Sequence, residues 1–346
     1  MKTKVNLGID VLFNKIYRVK EKKNLAVVCG GFSNEKVISG QSADVVIQSL
    51  KGSDYNIFKV WIDENQWSLL HEDQTLPIDK NDFSASTKDG KLNFDGVFNT
   101  IHGTPGENGI LQGYFDLLKI PYNNCGVYAS SITFNKGACN RLLRHFGVKS
   151  ANSYLLKSDE TYSEEKILER VGLPCFVKPN ASGSSLGISR VNDVPELKAA
   201  IDHAFIEDDL VIIEEFLPGT EITCGVVERD GKPKALAVTE IVVEKEFFDY
   251  EAKYHHKGTQ EITPARISKE DYEACMRLTE QIYTWLDCQG IVRADYILNE
   301  KGIFLIEVNT TPGLSSASLV PQMAVYAGYT LEEFFREEVE LLLNRH

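Results

Sequence analysis

The sequence predicts an α/β chain in which short apolar strands alternate with amphipathic helices. The apolar run NLAVVC at 24–29 is followed by a glycine turn and by apolar residues at helical spacing through Leu50. Further strands at 54–63 and 94–101 and a helix at 109–118 continue this alternation, which is typical of a parallel sheet covered by helices. Near the C-terminus, two strand-like runs flank a turn at 299–302 and predict a hairpin instead. We therefore expect an α/β chain with α+β character overall.

Length and composition allow two or three domains and exclude several classes of protein. The chain has 346 residues, 43% hydrophobic and 25% charged. No run of about 18 apolar residues occurs, so we expect no membrane span. The N-terminal segment lacks a compact apolar core with a small-residue cleavage site, so we expect a cytoplasmic protein. The formal charge of -13, without a basic stripe, argues against a nucleic-acid partner.

Two further features carry little chemistry. The seven cysteines are scattered without a CxxC pair, so we expect reduced, buried thiols. Residues 1–22 precede the first strand signal and end in a charge run at 20–23. We interpret them as an extension that either packs loosely or derives from an early start codon.

The C-terminal hairpin offers oxygen donors on one face. Because strand side chains alternate, Glu307 and Asn309 point the same way, and so do Arg293 and Asp295 on the preceding strand. Hard oxygen donors without thiolates suit Mg²⁺, which is commonly completed by substrate phosphates. The alternative is a solvated edge strand.

Two lysines are candidates for holding phosphate. Lys178 lies in a strand that precedes a loop of small residues at 180–185, where backbone N–H groups can approach phosphate oxygens. Lys136 lies in the first turns of a predicted helix at 131–145, where a cation opposes the helix dipole and an anionic partner would compensate it. Neither dinucleotide nor Walker glycine fingerprint is present. Ordinary surface lysines remain the alternative.

Several other residues are candidates for ligand contacts. Glu35 falls in the first turn of the first helix, where it either complements the dipole or binds a ligand. His102 lies in the glycine-dense loop HGTPGENGILQG, which is either a ligand loop at a strand end or a tight turn. Two strands around a turn are predicted at 210–227. Main-chain donors and acceptors beside Phe216 and Leu217 could hold adenine there, and Glu221 could bind ribose hydroxyls. Solvation of an edge strand is the alternative. The stretch 245–263 has no period and is long enough for a lid.

Taken in order, these segments resemble the D-alanine-D-alanine ligases of the ATP-grasp superfamily. The resemblance spans roughly residues 24–346 and is carried by the motifs GGFSNE, HGTPGENGILQG, FNK, FVKPNASGSSLG, IIEEFLPGTE, DYEAKY, VRADY, IEVNTTPG and SLVP. It implies an ATP-grasp fold with an N-terminal Rossmann-like (preATP-grasp) parallel-sheet domain. The expected division is an extension at 1–22, an N-terminal domain at 23–125, a central subdomain at 126–218, and a C-terminal subdomain at 219–346 with the Mg and D-alanine sites.

The resemblance also implies roles for individual residues. ATP would be held by phosphate, adenine and ribose contacts from Lys136, Lys178, Glu214, Glu215, Phe216, Leu217 and Glu221. Two Mg²⁺ ions, or Mn²⁺ in their place, would be bound by Asp295, Glu307 and Asn309. The two D-alanines would be bound by Glu35, His102, Ser318 and the Leu319 amide. Catalysis would depend on Glu35, His102, Ser184, Lys253, Tyr254, Arg293 and the N–H of Gly313. A second acidic residue frequent in the family's first motif is replaced near Val37.

The implied activity is the ATP-dependent ligation of two D-alanines through a D-alanyl phosphate, for peptidoglycan precursor synthesis. The partners would be ATP and two D-alanine molecules, without nucleic acid or membrane, and we expect a homodimer. The alternatives are a D-alanine-D-lactate ligase, another ATP-grasp carboxylate-amine ligase, and a nucleotide-binding regulator that has lost catalysis. The segment EAKY, with Lys253 and Tyr254, resembles the dipeptide-forming type.

Overall fold

The computed structural model describes residues 22–181, 183, 186–243 and 259–345. The extension expected at 1–22 lies outside the described residues except for its last residue, and so does most of the lid-like stretch. The strands are β1 (Lys23–Gly30), β2 (Tyr55–Ile62), β3 (Trp67–His71), β4 (Gln74–Asp79), β5 (Ser84–Thr87), β6 (Gly90–Leu92), β7 (Gly96–Asn99), β8 (Lys149–Ser150), β9 (Ser153–Lys157), β10 (Cys175–Pro179), β11 (Ser189–Val191), β12 (Leu210–Glu215), β13 (Thr220–Arg229), β14 (Lys232–Val243), β15 (Thr259–Ile262), β16 (Val292–Asn299) and β17 (Gly302–Asn309). The helices are α1 (Lys36–Ser49), α2 (Ile110–Leu118), α3 (Val127–Phe134), α4 (Lys136–His145), α5 (Glu164–Val171), α6 (Leu197–Ala204), α7 (Lys269–Trp285), α8 (Leu319–Tyr326) and α9 (Leu331–Leu343), with a 3-10 turn at Val194–Glu196.

The first sheet has the order β6-β5-β4-β3-β2-β1-β7. The three strands predicted here are β1, β2 and β7, and they pair in parallel as expected. The sequence did not predict β3 to β6, which extend the sheet in antiparallel fashion. Glu72, in the two-residue turn between β3 and β4, has a φ of 52°. Such turns usually carry Asn-Gly or Asp-Gly, so the dipeptide Glu-Asp gave no hairpin signal.

The second and third sheets are largely antiparallel. Their orders are β11-β10-β12-β9 and β15-β14-β13-β16-β17-β8. The residues at 210–227 were expected to form two strands about a turn. They form β12 and β13, which belong to different sheets and do not pair. The chain crosses from one sheet to the other at 216–219, and this crossing opens a cleft between the two sheets.

The predicted helix at 131–145 is two helices, which corrects the sequence interpretation. Asn135 breaks it with an extended backbone (φ -92°, ψ 94°), and its side chain caps α4 by accepting the Ala138 N–H at 2.9 Å. Lys136 is therefore the first residue of α4. Similarly, α1 begins after Glu35, which is its N-cap and lies one residue before the first turn where we expected it.

The apolar cores join these layers. One core lies between β1, α1, α8 and α9, with Phe98 and Phe335 in edge contact at 6.0 Å between ring centroids. The last helix therefore packs on the first sheet, although it follows the third. All seven cysteines are free and buried, as expected. Within the described ranges, no helix has both the length and the apolar composition that crossing a bilayer requires.

Candidate active site

A cleft of about 940 Å³ lies where the three sheets meet. It is lined by every predicted site residue that the structure describes: Glu35, His102, Lys136, Lys178, Glu214, Glu215, Phe216, Leu217, Glu221, Arg293, Asp295, Glu307, Asn309, Gly313, Ser318 and Leu319. The remaining three, Ser184, Lys253 and Tyr254, lie outside the described residues. Residues that are almost 300 positions apart in the sequence therefore line one concave surface.

The C-terminal hairpin forms the floor of this cleft. In the β16–β17 register, Asp295 is opposite Glu307 and Arg293 is opposite Asn309. Directly opposed residues of antiparallel strands share a face, so these side chains meet. A β-bulge between Asp295 and Tyr296 shifts the register. As a result, Leu305 is paired with Tyr296 and is buried in the core, whereas Glu307, two residues later, is paired with Asp295.

Asp295 is the centre of a hydrogen-bonded group. Arg293 donates to both of its oxygens, from Nε and Nη2, at 2.8 Å each. Asn309 donates from Nδ2 at 3.0 Å, and Thr223 donates from its hydroxyl. Burial lowers the pKa of Arg293, but the charge of Asp295 and these hydrogen bonds outweigh it and leave the pKa well above its ordinary value. Arg293 is therefore a fixed cation at any working pH.

The two candidate phosphate lysines are each held by a carboxylate. Lys136 Nζ lies 3.3 Å from Glu307, and Lys178 Nζ lies 2.8 Å from Glu214. Burial lowers the pKa of Lys178, but Glu214 more than compensates, and the net pKa is raised. Glu214 also accepts a hydrogen bond from Asn140 at 3.3 Å. Both lysines are therefore held by ion pairs at the wall of the cleft.

His102 and Glu107 line the cleft at the end where the first sheet contributes to it. His102 Nδ1 is 2.7 Å from the carbonyl oxygen of Thr311, which can only accept, so Nδ1 carries a proton. Its Nε2 atom is buried without a hydrogen-bond partner among the described residues. A carboxylate at Nε2 would require the imidazolium form, in which both nitrogens donate. Burial raises the pKa of Glu107, although its carboxylate accepts the Gly103 N–H at 3.0 Å.

The opposite wall is the start of α8. Ser318 is the N-cap residue and has an extended backbone. Its hydroxyl lies 2.8 Å from the Ser315 hydroxyl and accepts no hydrogen bond from the first N–H groups of the helix. The first N–H groups of a helix have no partner inside the helix and attract anions. Gly313 lies against this cap, because a Cβ there would be 2.8 Å from Ser318 Oγ. This corner can therefore accept a carboxylate.

Sequence reasoning missed two side chains that organise the site. Thr223 faces Asp295 across β13 and β16, and Asn140 follows Lys136 by one helical turn. Alternation places Thr223 on the same face as Glu221, but its contact with Asp295 depends on the β13–β16 register. Asn140 gave no signal because its contact with Glu214 joins α4 to β12, and the sequence does not show that these two elements pack together.

The donor set on the hairpin fits a magnesium ion bound together with phosphates. Within the described residues, no group of three or more His, Cys, Asp or Glu side chains is placed to bind a metal. The hairpin supplies two carboxylates and one amide oxygen, since Asn309 directs Nδ2 toward Asp295 and leaves Oδ1 as an acceptor. Mg²⁺ is usually held by one or two carboxylates, with water and substrate phosphates completing the octahedron.

Two family models match the chain. The model described as D-ala D-ala ligase N-terminus matches residues 24–125, and the model described as D-ala D-ala ligase C-terminus matches residues 142–340. A D-alanine--D-alanine ligase of Azobacteroides pseudotrichonymphae is 47% identical over 321 residues, which is 92% of this chain and 99% of the relative. The enzyme of the same name from Flavobacterium johnsoniae is 45% identical over 322 residues, 93% of this chain and 99% of its own.

Solved structures agree with this. The VanG D-Ala:D-Ser ligase of Enterococcus faecalis has a TM-score of 0.84 at 30% identity, over 93% of this chain and 99% of its own. D-alanyl-alanine synthetase A of Vibrio cholerae has a TM-score of 0.85 at 26% identity, over 94% and 100%. The predicted ATP-grasp fold is thereby confirmed. From the two family models and the relatives at nearly half identity, this chain belongs to the D-alanine-D-alanine ligase family.

Proposed function

We propose that this protein joins two D-alanine molecules into D-alanyl-D-alanine, with conversion of ATP to ADP and phosphate, as a step of peptidoglycan precursor synthesis. The observation that carries the proposal is the β16–β17 hairpin. In a chain 47% identical to a D-alanine--D-alanine ligase, its register sets Asp295 opposite Glu307 and Arg293 opposite Asn309 in the cleft. The free, buried thiols suit a cytoplasmic enzyme, and we propose that it acts there as a homodimer.

ATP would lie between the second and third sheets. A carboxylate is a poor electrophile at neutral pH, so D-alanine must first be activated as D-alanyl phosphate. Phosphoryl transfer depends mainly on position and on neutralised charge, which Lys136 and Lys178 would supply. The segment 214–217, at the end of β12 and the start of the crossing, would receive adenine, and Glu221 would accept hydrogen bonds from the ribose.

Divalent ions would be held against the phosphates by Asp295, Glu307 and Asn309. Bound Mg²⁺ would neutralise phosphate charge and orient the transferred group. Glu307 also lies 3.3 Å from Lys136, so the same carboxylate would lie between a metal ion and a phosphate-binding lysine. Asp295 stays oriented by Arg293 and Asn309.

The amino acids would bind at the other end of the cleft. Glu35 would hold the ammonium of the first D-alanine, and His102 would contact its carboxylate. Ser318 and the Leu319 amide would hold the second carboxylate, since the start of α8 favours an anion. Arg293 and the Gly313 N–H would stabilise the oxyanion formed when the second amine attacks. Ser184, Lys253 and Tyr254 would connect the loop and lid over the site.

The test is to incubate the protein with Mg-ATP and D-alanine and to quantify D-alanyl-D-alanine and inorganic phosphate. We expect the two products in equal amounts. Including D-lactate and D-serine in the same mixture tests the second substrate. The D-serine arm is informative because the VanG D-Ala:D-Ser ligase is among the similar structures. A mainly depsipeptide or mainly D-alanyl-D-serine product would contradict the proposal.

A further inference from the structure

The start of α4, the helix that carries Lys136, is capped by Asn180, which directly follows β10 of the second sheet. The first backbone N–H groups of a helix have no partner within it. Here the Lys136 N–H donates to the Asn180 carbonyl at 3.1 Å, and the Gly137 N–H donates to Asn180 Oδ1 at 2.8 Å. Asn135 takes the third, from Ala138, at 2.9 Å. These amides are occupied and cannot hold a phosphate, so the contact falls to the Lys136 side chain.

Asn180 itself is fixed on the second sheet. It follows Lys178 by two residues and is 1% exposed. Its N–H donates to the Leu210 carbonyl at 2.9 Å. The next amide, that of Ala181, donates to Asp208 at 2.6 Å. Asn180 thus bonds through its N–H to β12, the strand beside Lys178. Through its carbonyl and its side chain it bonds to the helix of Lys136.

Gly137 shows how closely the helix approaches Asn180. A Cβ at Gly137 would be 2.8 Å from the Leu155 side chain and 3.1 Å from Asn180 Oδ1. Only glycine leaves room for this approach, so the side-chain contact of Asn180 and the absence of a side chain at 137 depend on each other.

We propose that Asn180 is a positioning residue for the nucleotide. It caps the helix of Lys136 from a different part of the chain and thereby holds Lys136 and Lys178 as one phosphate-binding unit. The inference rests on the proposed function, because it concerns the same nucleotide. It adds that the spacing of the two cations is set by a neutral amide that does not itself touch ATP.

The central experiment replaces Asn180 with leucine, which keeps the volume and removes the acceptor for the Gly137 N–H. Leaving one buried donor without a partner corresponds to a change of about tenfold in an equilibrium constant. We expect the Kd for Mg-ATP, measured by titration calorimetry without D-alanine, to rise by about that factor. The KM for D-alanine should change by less than about twofold, because Glu35 and Ser318 are untouched.

Two further variants separate positioning from general destabilisation. Asn180→Asp keeps the oxygen acceptor, so we expect Mg-ATP affinity within about threefold of the parent protein. Tyr272→Phe is the matched control, because its hydroxyl accepts the N–H of Val238 at 3.0 Å, outside the cleft lining. This control should lower the melting temperature as Asn180→Leu does and leave the Kd for Mg-ATP unchanged.

If Asn180→Leu fails to fold, Gly137→Ala gives the same information, because its Cβ would push α4 away from Asn180. The inference is overturned if a folded Asn180→Leu or Gly137→Ala variant binds Mg-ATP like the parent protein. It is also overturned if the Tyr272→Phe control weakens Mg-ATP to the same extent. Absence of Mg-ATP binding by the parent protein would instead contradict the proposed function.

Discussion

The two carboxylates of the β16–β17 hairpin, Asp295 and Glu307, are each compensated by a cation. Asp295 accepts from Arg293, Asn309 and Thr223, and Glu307 lies 3.3 Å from Lys136. A buried charge without such a partner would cost several kcal/mol, or would be neutralised by a shift of its pKa. These pairs hold the charged side chains in place before any ligand binds.

Glu307 is the residue at which this account can be tested most simply. We predict that Glu307→Gln lowers kcat at least about 100-fold, since one group that stabilises transition-state charge contributes roughly 3 to 4 kcal/mol. Circular dichroism should show an unchanged fold, because glutamine has nearly the same shape.

Glu300→Gln is the matched control. Glu300 lies in the turn of the same hairpin, exposed and away from the cleft. Its kcat should stay within about twofold of the parent value, as expected for an exposed site. Near-normal turnover in Glu307→Gln would mean that the metal assignment is wrong.

At this scale the sequence predicted pairs on one strand better than neighbours across strands. The alternation placed Glu307 with Asn309 and Arg293 with Asp295, and the structure confirms both pairs. Thr223 was missed because its contact with Asp295 depends on the β13–β16 register, which a single sequence does not contain. The start of α1 was also misplaced by one residue, because Glu35 is its N-cap and not part of its first turn.

Among the elements, α9 is anchored by a buried ion pair. Arg229 on β13 contacts Glu337 and Glu338, and its guanidinium lies 5.4 Å from the ring centroids of both Tyr329 and Phe334. Burial raises the pKa of Glu338, against the opposing charge of Arg229. The helix therefore depends on a desolvated charge that has one main cationic partner.

We predict that Arg229→Met lowers the free energy of unfolding by about 3 to 5 kcal/mol, because it leaves Glu338 buried and unpaired. Urea unfolding followed by circular dichroism measures this. Arg336→Met on the same helix is the control, since its pair with Glu340 is 4.0 Å long and about half exposed. That change should cost less than about 1 kcal/mol. Equal losses in the two variants would contradict the special role of Arg229.

The elements themselves were predicted where the apolar pattern was long and regular. Helix α2 lies within one residue of the predicted range 109–118, and the β16–β17 turn is where it was expected. The helix at 131–145 was wrong because nothing in the apolar spacing marks Asn135 as a break. The β-bulge in the β16–β17 pairing also gave no signal, because it is a property of the register between two strands.

Across the whole molecule, the cleft requires contributions from all three sheets. Glu35 and His102 come with the first, Lys178 with the second and the hairpin with the third. The first and third are held together by the core under α9 and by Arg345, which donates to the carbonyls of Tyr122 and Asn123 at 3.0 and 3.2 Å. The relative position of the proposed D-alanine and ATP ends of the cleft depends on this junction.

Gly290 lies at that junction. Its φ is +66°, and a Cβ there would be 1.8 Å from the Asn123 carbonyl oxygen. We predict that Gly290→Ala displaces the first sheet and raises the KM for D-alanine about tenfold or more, while the KM for ATP changes by less than about threefold. Steady-state kinetics with each substrate varied in turn measures the two constants.

Gly231→Ala is the control for backbone strain alone, because Gly231 has a φ of +70° and no atom within 4 Å of its Cβ position. It should lose about 1 kcal/mol of stability and leave both KM values unchanged. If Gly290→Ala raises the two KM values equally, the junction does not position the D-alanine end separately.

The sequence predicted the architecture at this scale through ordered motifs rather than through local propensity. The nine motifs placed all the described site residues on one cleft, although nothing in the sequence showed that β12 and β13 belong to different sheets. Sheet membership is a long-range property, and two adjacent strands give the same local pattern whether they pair or separate.

The central claim is that ATP activates the carboxylate of D-alanine in the cleft built around Asp295 and Glu307. The most direct measurement uses D-alanine labelled with ¹⁸O in both carboxylate oxygens, Mg-ATP, and mass spectrometry of the released phosphate. D-alanyl phosphate transfers one labelled oxygen to phosphate when the second amine attacks, so we predict one ¹⁸O per phosphate and one dipeptide formed. Unlabelled phosphate, with or without dipeptide, would show that the carboxylate is never phosphorylated and would contradict the account.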